Sequence, residues 1–404
     1  MKTSVRAALV SAGLLLALTG CTNASFSPET LVNDLRVLSI QVEPPEVGPG
    51  ENAKLSILKT DQTGVVSSLI WVGCEPDPQD LGRSACNDAA ILLRPTEIVN
   101  YPPGLQLLGF GLTAQYRSTA TVFDVLPADS LIRRTGTVGQ VLGLVIGEEV
   151  DPLAEGEKLR GYFARIEAKE TPVVVSLTRV LVSEKPAAQR NKNPGIVDLF
   201  VDGAKHPRGG RIPVKAGARL ALTVQVPDDV RQTYVEPQPT GDVQKVETVV
   251  GAWYSSGGRF SRERFDVTTT DATTFIAPGS AEFPDDPVPD RRTGTVWLVV
   301  RDDRGGQSFD RYPFFVCDPS LPNPTVTSIA PPATPDGQVI VTGENLNAAL
   351  DVVVGDVALG RGSYNSAMST FVGDAPALPS GSYAVKVRGR NCNDADTGLR
   401  YVVP

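Results

Sequence analysis

Short apolar runs broken by turn residues recur from Leu35 to the end of the chain. Leu38, Ile40 and Val42 alternate with Ser39 and Gln41. Pro44, Pro45, Gly48, Pro49 and Gly50 stop that run before Ala53, Leu55 and Ile57 resume it. Alternation with period two places the apolar side chains on one face of an extended segment, so the pattern predicts strand, turn, strand. Ile70, Trp71 and Val72 form a third run, and the runs at 121–126, 138–146, 161–167 and 173–182 continue the series. Residues 127–134 read as a helical turn capped by Asp129 or Ser130. No long amphipathic helix is visible. Residues 184–193 are polar and charged and contain Pro186, which marks a linker. Beyond it lie runs at 196–201, 246–254, 265–270, 295–301 and 308–316, with Leu220, Leu222, Val224 and Val226 in strict alternation and 301–306 as a hairpin loop. A last set of runs fills 323–404. The expectation is an all-β chain with folded units at 35–184, 194–317 and 323–404.

Composition supports that reading. The chain has 404 residues, 41% of them apolar, with 38 Gly and 33 Pro spread between the runs. That length allows about two to four domains, and the turn residues fit many short strands. The formal charge of −8 makes nucleic acid and anionic headgroups poor partners, because binding them needs a basic face. Five cysteines are present, Cys21, Cys74, Cys86, Cys317 and Cys392, and the only histidine is His206. There is no Cys-x-x-Cys, so neither zinc nor any other metal is expected.

Lys2 and Arg6 head an apolar stretch, 7–18, that ends in Leu18, Thr19, Gly20 and Cys21. About a dozen apolar residues fall short of the roughly 20 needed to cross a bilayer as a helix. The segment resembles the signal peptide and lipobox of bacterial lipoproteins. That resemblance implies cleavage after residue 20, a diacylglycerol on the Cys21 sulfur and commonly a further acyl chain such as palmitate on its nitrogen. Residues 21–34 would then be a lipidated tether. A single chain binds a membrane only marginally, at about 10⁴ M⁻¹, so two or three give lasting attachment. Thr22, where aspartate would mark retention in the inner membrane, implies the outer membrane. Loss of Lys2 and Arg6 takes the charge from −8 to −10. With Cys21 assigned to lipid, four cysteines remain in an exported chain, and they allow three pairings. We favour Cys74 with Cys86 and Cys317 with Cys392, loops worth about 3 and about 4.5 kcal/mol in the chain-entropy account.

Trp253 and Trp297, on separate strands with alternating apolar neighbours, resemble the aromatic centre of an immunoglobulin-like sandwich. The third unit carries a clearer likeness. Val326, Ser328, Ile329 and Pro331 open it; Val339, Ile340, Val341, Thr342, Gly343, Asn345 and Leu346 follow, then Val352, Val353, Val354 and Gly355. Pro376, Leu378, Gly381, Tyr383, Val385 and Val387 lead to Leu399, Tyr401, Val402 and Val403. This order resembles the IPT/TIG family of immunoglobulin-like domains, with Leu346 where members usually carry an aromatic. The resemblance implies a spacer or interaction module without catalytic residues. It also supports the Cys317–Cys392 pairing, because the start of the first strand and the last hairpin lie at one end of such a sandwich. The whole chain is similar to strand-rich surface lipoproteins of myxobacteria.

Candidate chemistry is sparse. His206 sits in Lys205-His206-Pro207-Arg208-Gly209 and reads as an exposed turn residue without an orienting partner. Gly109, Phe110 and Gly111 begin a dinucleotide-like pattern that no third glycine completes. Asp285, Asp286 and Asp290, and Asp302 with Asp303, offer paired carboxylates for glycoside hydrolysis but read as solvated turns. Asn391, Asn393, Asp394 and Asp396 lack the spacing of a calcium loop. Trp253 and Tyr254 are adjacent, so one points inward and the other outward. Tyr254, Arg259 and Phe260 are therefore the candidate ligand-binding patch. The expected function is a lipid-anchored, noncatalytic binding or scaffolding protein of the cell envelope, with no cofactor and an envelope protein or glycan as partner. The alternatives are a surface glycan-binding lipoprotein and an envelope polysaccharide hydrolase.

Overall fold

The computed structural model describes residues 29–61, 66–79, 104–151, 156–332 and 337–403. The expected signal segment 1–20, Cys21 and Cys86 lie outside the described residues. The chain is all-β and builds three two-sheet sandwiches of the immunoglobulin-like kind, each around its own apolar core. No described helix is long and apolar enough to cross a membrane.

In the first unit, Arg36–Glu43, Asn52–Thr60 and Thr113–Arg117 form a three-stranded sheet that faces a five-stranded one. Ile40, Val42, Leu55, Trp71, Tyr116, Val141 and Val180 fill the space between them. The central strand Thr137–Ile146 is buried on both faces, which explains its unbroken apolar run. Ile70, Leu142, Leu144 and Ile146 point away from the sandwich core into a second cluster with Tyr162. Tyr162 lies on the helix Gly156–Glu167, with Ile166 one turn on. The run at 161–167, expected to be a strand, is therefore helical: spacing of four puts both side chains against the sheet. Ser130 caps the short helix Leu131–Thr135 by accepting from the Ile132 amide.

The second unit packs two five-stranded sheets around Leu222, Trp253, Phe275, Leu298 and Phe314. Trp253 is fully buried between the rings of Phe260 at 5.9 Å and Phe265 at 5.7 Å, both nearly parallel to it. Gly251 makes this possible, since a Cβ there would collide with the Phe265 ring. Trp297 does not share that core. On Thr293–Asp302, Val296, Leu298 and Val300 point inward, whereas Trp297 and Val299 point out of the sandwich. There they meet Val32, Leu38 and Leu58, with Tyr254 and Phe309 packed alongside. The expected pair of core indoles is thus one core indole and one junction indole.

A bulge prepares the first unit for this contact. Val37 pairs with Lys59 and Ser39 with Leu58, so Leu38 is the extra residue. It turns outward to Trp297, while Ile40 and Val42 keep to the core. Polar groups frame the contact: Ser39 Oγ donates to Gln307 Oε1 at 2.9 Å, and Arg301 Nη2 donates to the Leu38 carbonyl at 2.6 Å. The end of the expected tether is fixed here too. The Val32 amide donates to Ser255 O and the Ser255 amide to Thr30 O, each at 2.8 Å.

The expected linker is equally fixed. Glu46 is buried and accepts from Ser183 Oγ at 2.6 Å and from the Asn191 amide at 2.8 Å, with Lys185 Nζ at 3.1 Å. Asn193 Nδ2 donates to the Val42 carbonyl at 2.7 Å. Buried polar groups persist only when paired, and this set ties the linker to the first unit.

The third unit is a sandwich of two four-stranded sheets around Val341, Val352, Val354, Phe371, Val385 and Tyr401. A disulfide joins Cys317 to Cys392 across its junction with the second unit, the Cα atoms 5.5 Å apart. Cys74 is also disulfide-bonded, to a partner outside the described residues. Beside the Cys317–Cys392 bridge, Arg211 donates its amide to Asp351 Oδ2 at 2.7 Å and its guanidinium to the carbonyls of Leu350 and Gly362. Arg208 pairs in parallel with Val357.

Candidate binding cleft between the first two units

The residues singled out as a patch do not come together. Tyr254 is half-buried against the first unit beside Trp297. Phe260 lies on the opposite sheet and packs into the core against Trp253 and Phe275. Arg259 pairs with Asp285 at 2.8 Å and lies over the Phe283 ring. Strand alternation separated Tyr254 from Trp253 as expected, but its outward face is covered by a neighbouring sandwich.

The other candidates resolve into structural roles. His206 is buried, 6% exposed, rather than on an open turn. Its amide donates to Leu199 O at 2.8 Å, and Nε2 lies 3.0 Å from Gly210 O. Burial pulls its pKa down to about 4, against the opposing hydrogen bond to Gly210. Asp302 accepts from the amides of Gly306 and Arg304 and closes its hairpin. Burial raises its pKa, and burial likewise raises that of Glu247, whose carboxylate meets Arg304 Nε at 2.9 Å. These two carboxyls serve Arg304 and backbone amides. Asp286 accepts from the Gly258 amide at 2.8 Å. Asn391 Nδ2 donates to Leu321 O and Asn323 Oδ1, so this polar cluster is a braced turn. Among the described residues, no group of three His, Cys, Asp or Glu is placed to hold a metal.

A different region has the form of a site. A cleft of about 620 Å³ opens between the first two units. One wall comes from Arg133 and Arg134 on Leu131–Thr135, the floor from Glu184, Lys185 and Gln189 in the linker, and the far wall from the hairpin Thr233–Glu236 and Val243–Val246. The hairpin belongs to neither five-stranded sheet, and an isolated two-stranded ribbon is marginal alone. Its bracing comes from Arg304, which lies 4.6 Å over the Tyr234 ring and is held by buried Glu247. Gln232 adds to this by donating its amide to Glu247 Oε2 at 2.9 Å. Desolvation, helped by Asp303, keeps the Tyr234 phenol above its ordinary pKa.

Opposite, Arg133 donates to the carbonyls of Phe123, Leu126 and Pro127 and pairs with Glu184 at 2.7 Å. Arg134 reaches across to Asp242, with both side chains about half exposed. The hairpin was missed because it reads as an ordinary polar stretch. The cleft itself takes its walls from segments about 50 residues apart, and no local pattern records that.

No protein-family model and no curated protein sequence matches the chain. Solved structures with some similarity include the mixed-linkage glucan utilization locus SGBP-B of Bacteroides ovatus, in complex with a mixed-linkage heptasaccharide. It is 11% identical over 92% of this chain and 70% of that chain, with a TM-score of 0.16. SGBP-B from a complex xyloglucan utilization locus in Bacteroides uniformis is 14% identical over 50% and 48%, also at 0.16. Three N-terminal domains of the bacteriophage RB49 highly immunogenic outer capsid protein are 8% identical over 90% and 95%, at 0.19. At such scores none of these likenesses bears on the fold or function of this chain.

Proposed function

We propose that the chain is a noncatalytic binding or scaffolding protein of the cell envelope, held at a membrane, in our reading the outer one, by lipid on Cys21. It works by positioning a binding surface on a fixed stack of sandwiches. The observation that carries this reading is the construction of the two junctions. Domains in one chain move relative to each other by default unless their interface is large and apolar. Here Trp297 and its neighbours close one junction, and Cys317–Cys392 with Arg211 and Asp351 closes the other. A fixed array holds its distal surface at a set distance from the anchored end, which suits positioning. The likeness of 323–404 to IPT/TIG domains fits a spacer at the distal end, and the lipobox at Cys21 fits the anchored end.

Two measurements test the proposal. Radiolabelled palmitate enters the wild-type chain, which fractionates with membranes, and Cys21→Ala loses both properties. Cross-linking of the native lipoprotein followed by mass spectrometry recovers a specific envelope protein or glycan. Equal membrane attachment of Cys21→Ala, or turnover of an envelope polysaccharide by the purified chain, would contradict it.

A further inference from the structure

We infer that the open edge of the strand Val173–Val182 is a docking surface for a second copy of this chain, whose own Val173–Val182 adds antiparallel about a two-fold axis at Ser176. This goes beyond the binding-module reading and stands whether or not that reading holds.

The backbone makes the edge. Val173–Val182 pairs with Thr137–Ile146 along its whole length. On its other side it has only the two-residue strand Glu46–Val47, opposite Leu181 and Val182. The Leu181 amide donates to Pro45 O at 3.2 Å and the Ser183 amide to Val47 O at 3.0 Å, so odd-numbered residues turn their backbone groups away from Thr137–Ile146. Val173, Val175, Leu177 and Arg179 therefore present N–H and C=O groups that no strand meets. Exposed edges are ordinarily blunted by proline, charge or a bulge. This one has no proline and no shift in register, and Arg179 is its only charge.

The side chains make it adhesive. Val175 and Leu177 are each 51% exposed. They stand beside Leu144 and Leu142, which are buried in the cluster with Tyr162, so the edge is the uncovered margin of an apolar stripe.

The limits of the open ladder select the occupant. Below it the Thr171 amide is taken by Arg165 O, and above it Leu181 is taken by Pro45 O. The free stretch is thus 173–179, with Ser176 at its centre. A two-fold axis there pairs every free group, Val173 with Arg179 and Val175 with Leu177, and joins the exposed apolar side chains of both copies in one patch. Such a contact is isologous and closes at two copies. Charge fits the same register. Arg179 is exposed and makes no ion pair among the described residues. The opposite end of the strand is acidic: Glu148 accepts from Thr171 Oγ1 at 3.2 Å, and Glu149 and Glu170 are exposed. Antiparallel pairing brings each Arg179 to the acidic end of the other copy, whereas parallel pairing would set the two Arg179 side by side.

The test combines light scattering of the full chain in detergent, with the micelle mass subtracted, and disulfide trapping of the full chain in its membrane. The expected mass is that of two chains at about 100 μM. Leu177→Lys weakens association about ten-fold or more with its unfolding midpoint unchanged, because an exposed position loses nothing within one copy. Ser176→Cys is joined to itself on oxidation, since opposed residues of a non-hydrogen-bonded pair lie about 4.5 Å apart, within disulfide reach. Val174→Cys, opposite Thr178, is not. The inference is overturned by a single-chain mass at that concentration, by a dimer that Leu177→Lys leaves intact, by trapping at Val174→Cys in place of Ser176→Cys, or by Ser176→Cys joining a different protein.

Discussion

The two junctions of this chain solve the same problem with different chemistry. The first is apolar: Val32, Leu38, Leu58, Trp297 and Val299 are all at most 8% exposed. The second is covalent and polar, with Cys317–Cys392, the Arg211–Asp351 contact and the backbone pairing of Arg208 with Val357. Burial pushes the Asp351 carboxyl above its usual range, and Arg211 opposes that. The contrast matters because the first junction depends on shape and temperature and is blind to redox state and pH. The second responds to both.

Four outcomes would break or sharpen this contrast. Trp297→Ala has the largest effect. Removing a buried indole costs about 4 kcal/mol, so denaturant unfolding followed by tryptophan fluorescence should show the first two units losing their coupling. A midpoint unchanged from wild type would remove the apolar account of that junction. Next, Cys317→Ser with Cys392→Ser should destabilise the third unit by about 3 kcal/mol, less than the chain-entropy value of about 4.5 kcal/mol for this loop because the reduced unfolded chain keeps part of its structure, read as a separate, earlier transition in calorimetry. The first junction should be unaffected.

The third concerns pH. The folded pKa of His206 is about 4, below its ordinary 6.5, so on acidification the unfolded chain takes up the proton first. The His206 contribution is therefore complete above pH 6.5 and is lost as pH falls towards 4, amounting to about 2 kcal/mol by pH 5. His206→Gln should show a shallower loss over that window when urea midpoints of the two proteins are compared. A parallel pH dependence would exclude His206 as the sensor. The smallest effect is expected of Arg134→Ala. Its bridge to Asp242 is half exposed, so the change should be below about 1 kcal/mol and fade with salt.

Much of the fold is legible in the chain, because half-buried strands announce themselves by alternation. Leu220 to Val226 does so, and Ser130 stands where a helix cap is expected. Legibility fails where a second surface is buried. Trp297 alternates with core residues as any strand residue does, and only the neighbouring sandwich decides that its face is covered too. Leu38 shares its parity with Ile40 but leaves the core at a bulge, which has no local mark. His206 lies in a Gly- and Pro-rich turn and is nonetheless buried, because the third unit's junction closes over that turn. The helix Gly156–Glu167 hides behind two glycines and a single visible turn of spacing. Tyr234 was silent for a further reason: its environment is assembled from Glu247 and Arg304, both well over ten residues further along the chain.

The most direct test of the locked array is small-angle X-ray scattering from residues 29–404. One rigid arrangement of the three sandwiches should account for the wild-type profile, and Trp297→Ala should broaden it into an ensemble. A wild-type profile that already demands many interdomain arrangements would contradict the account.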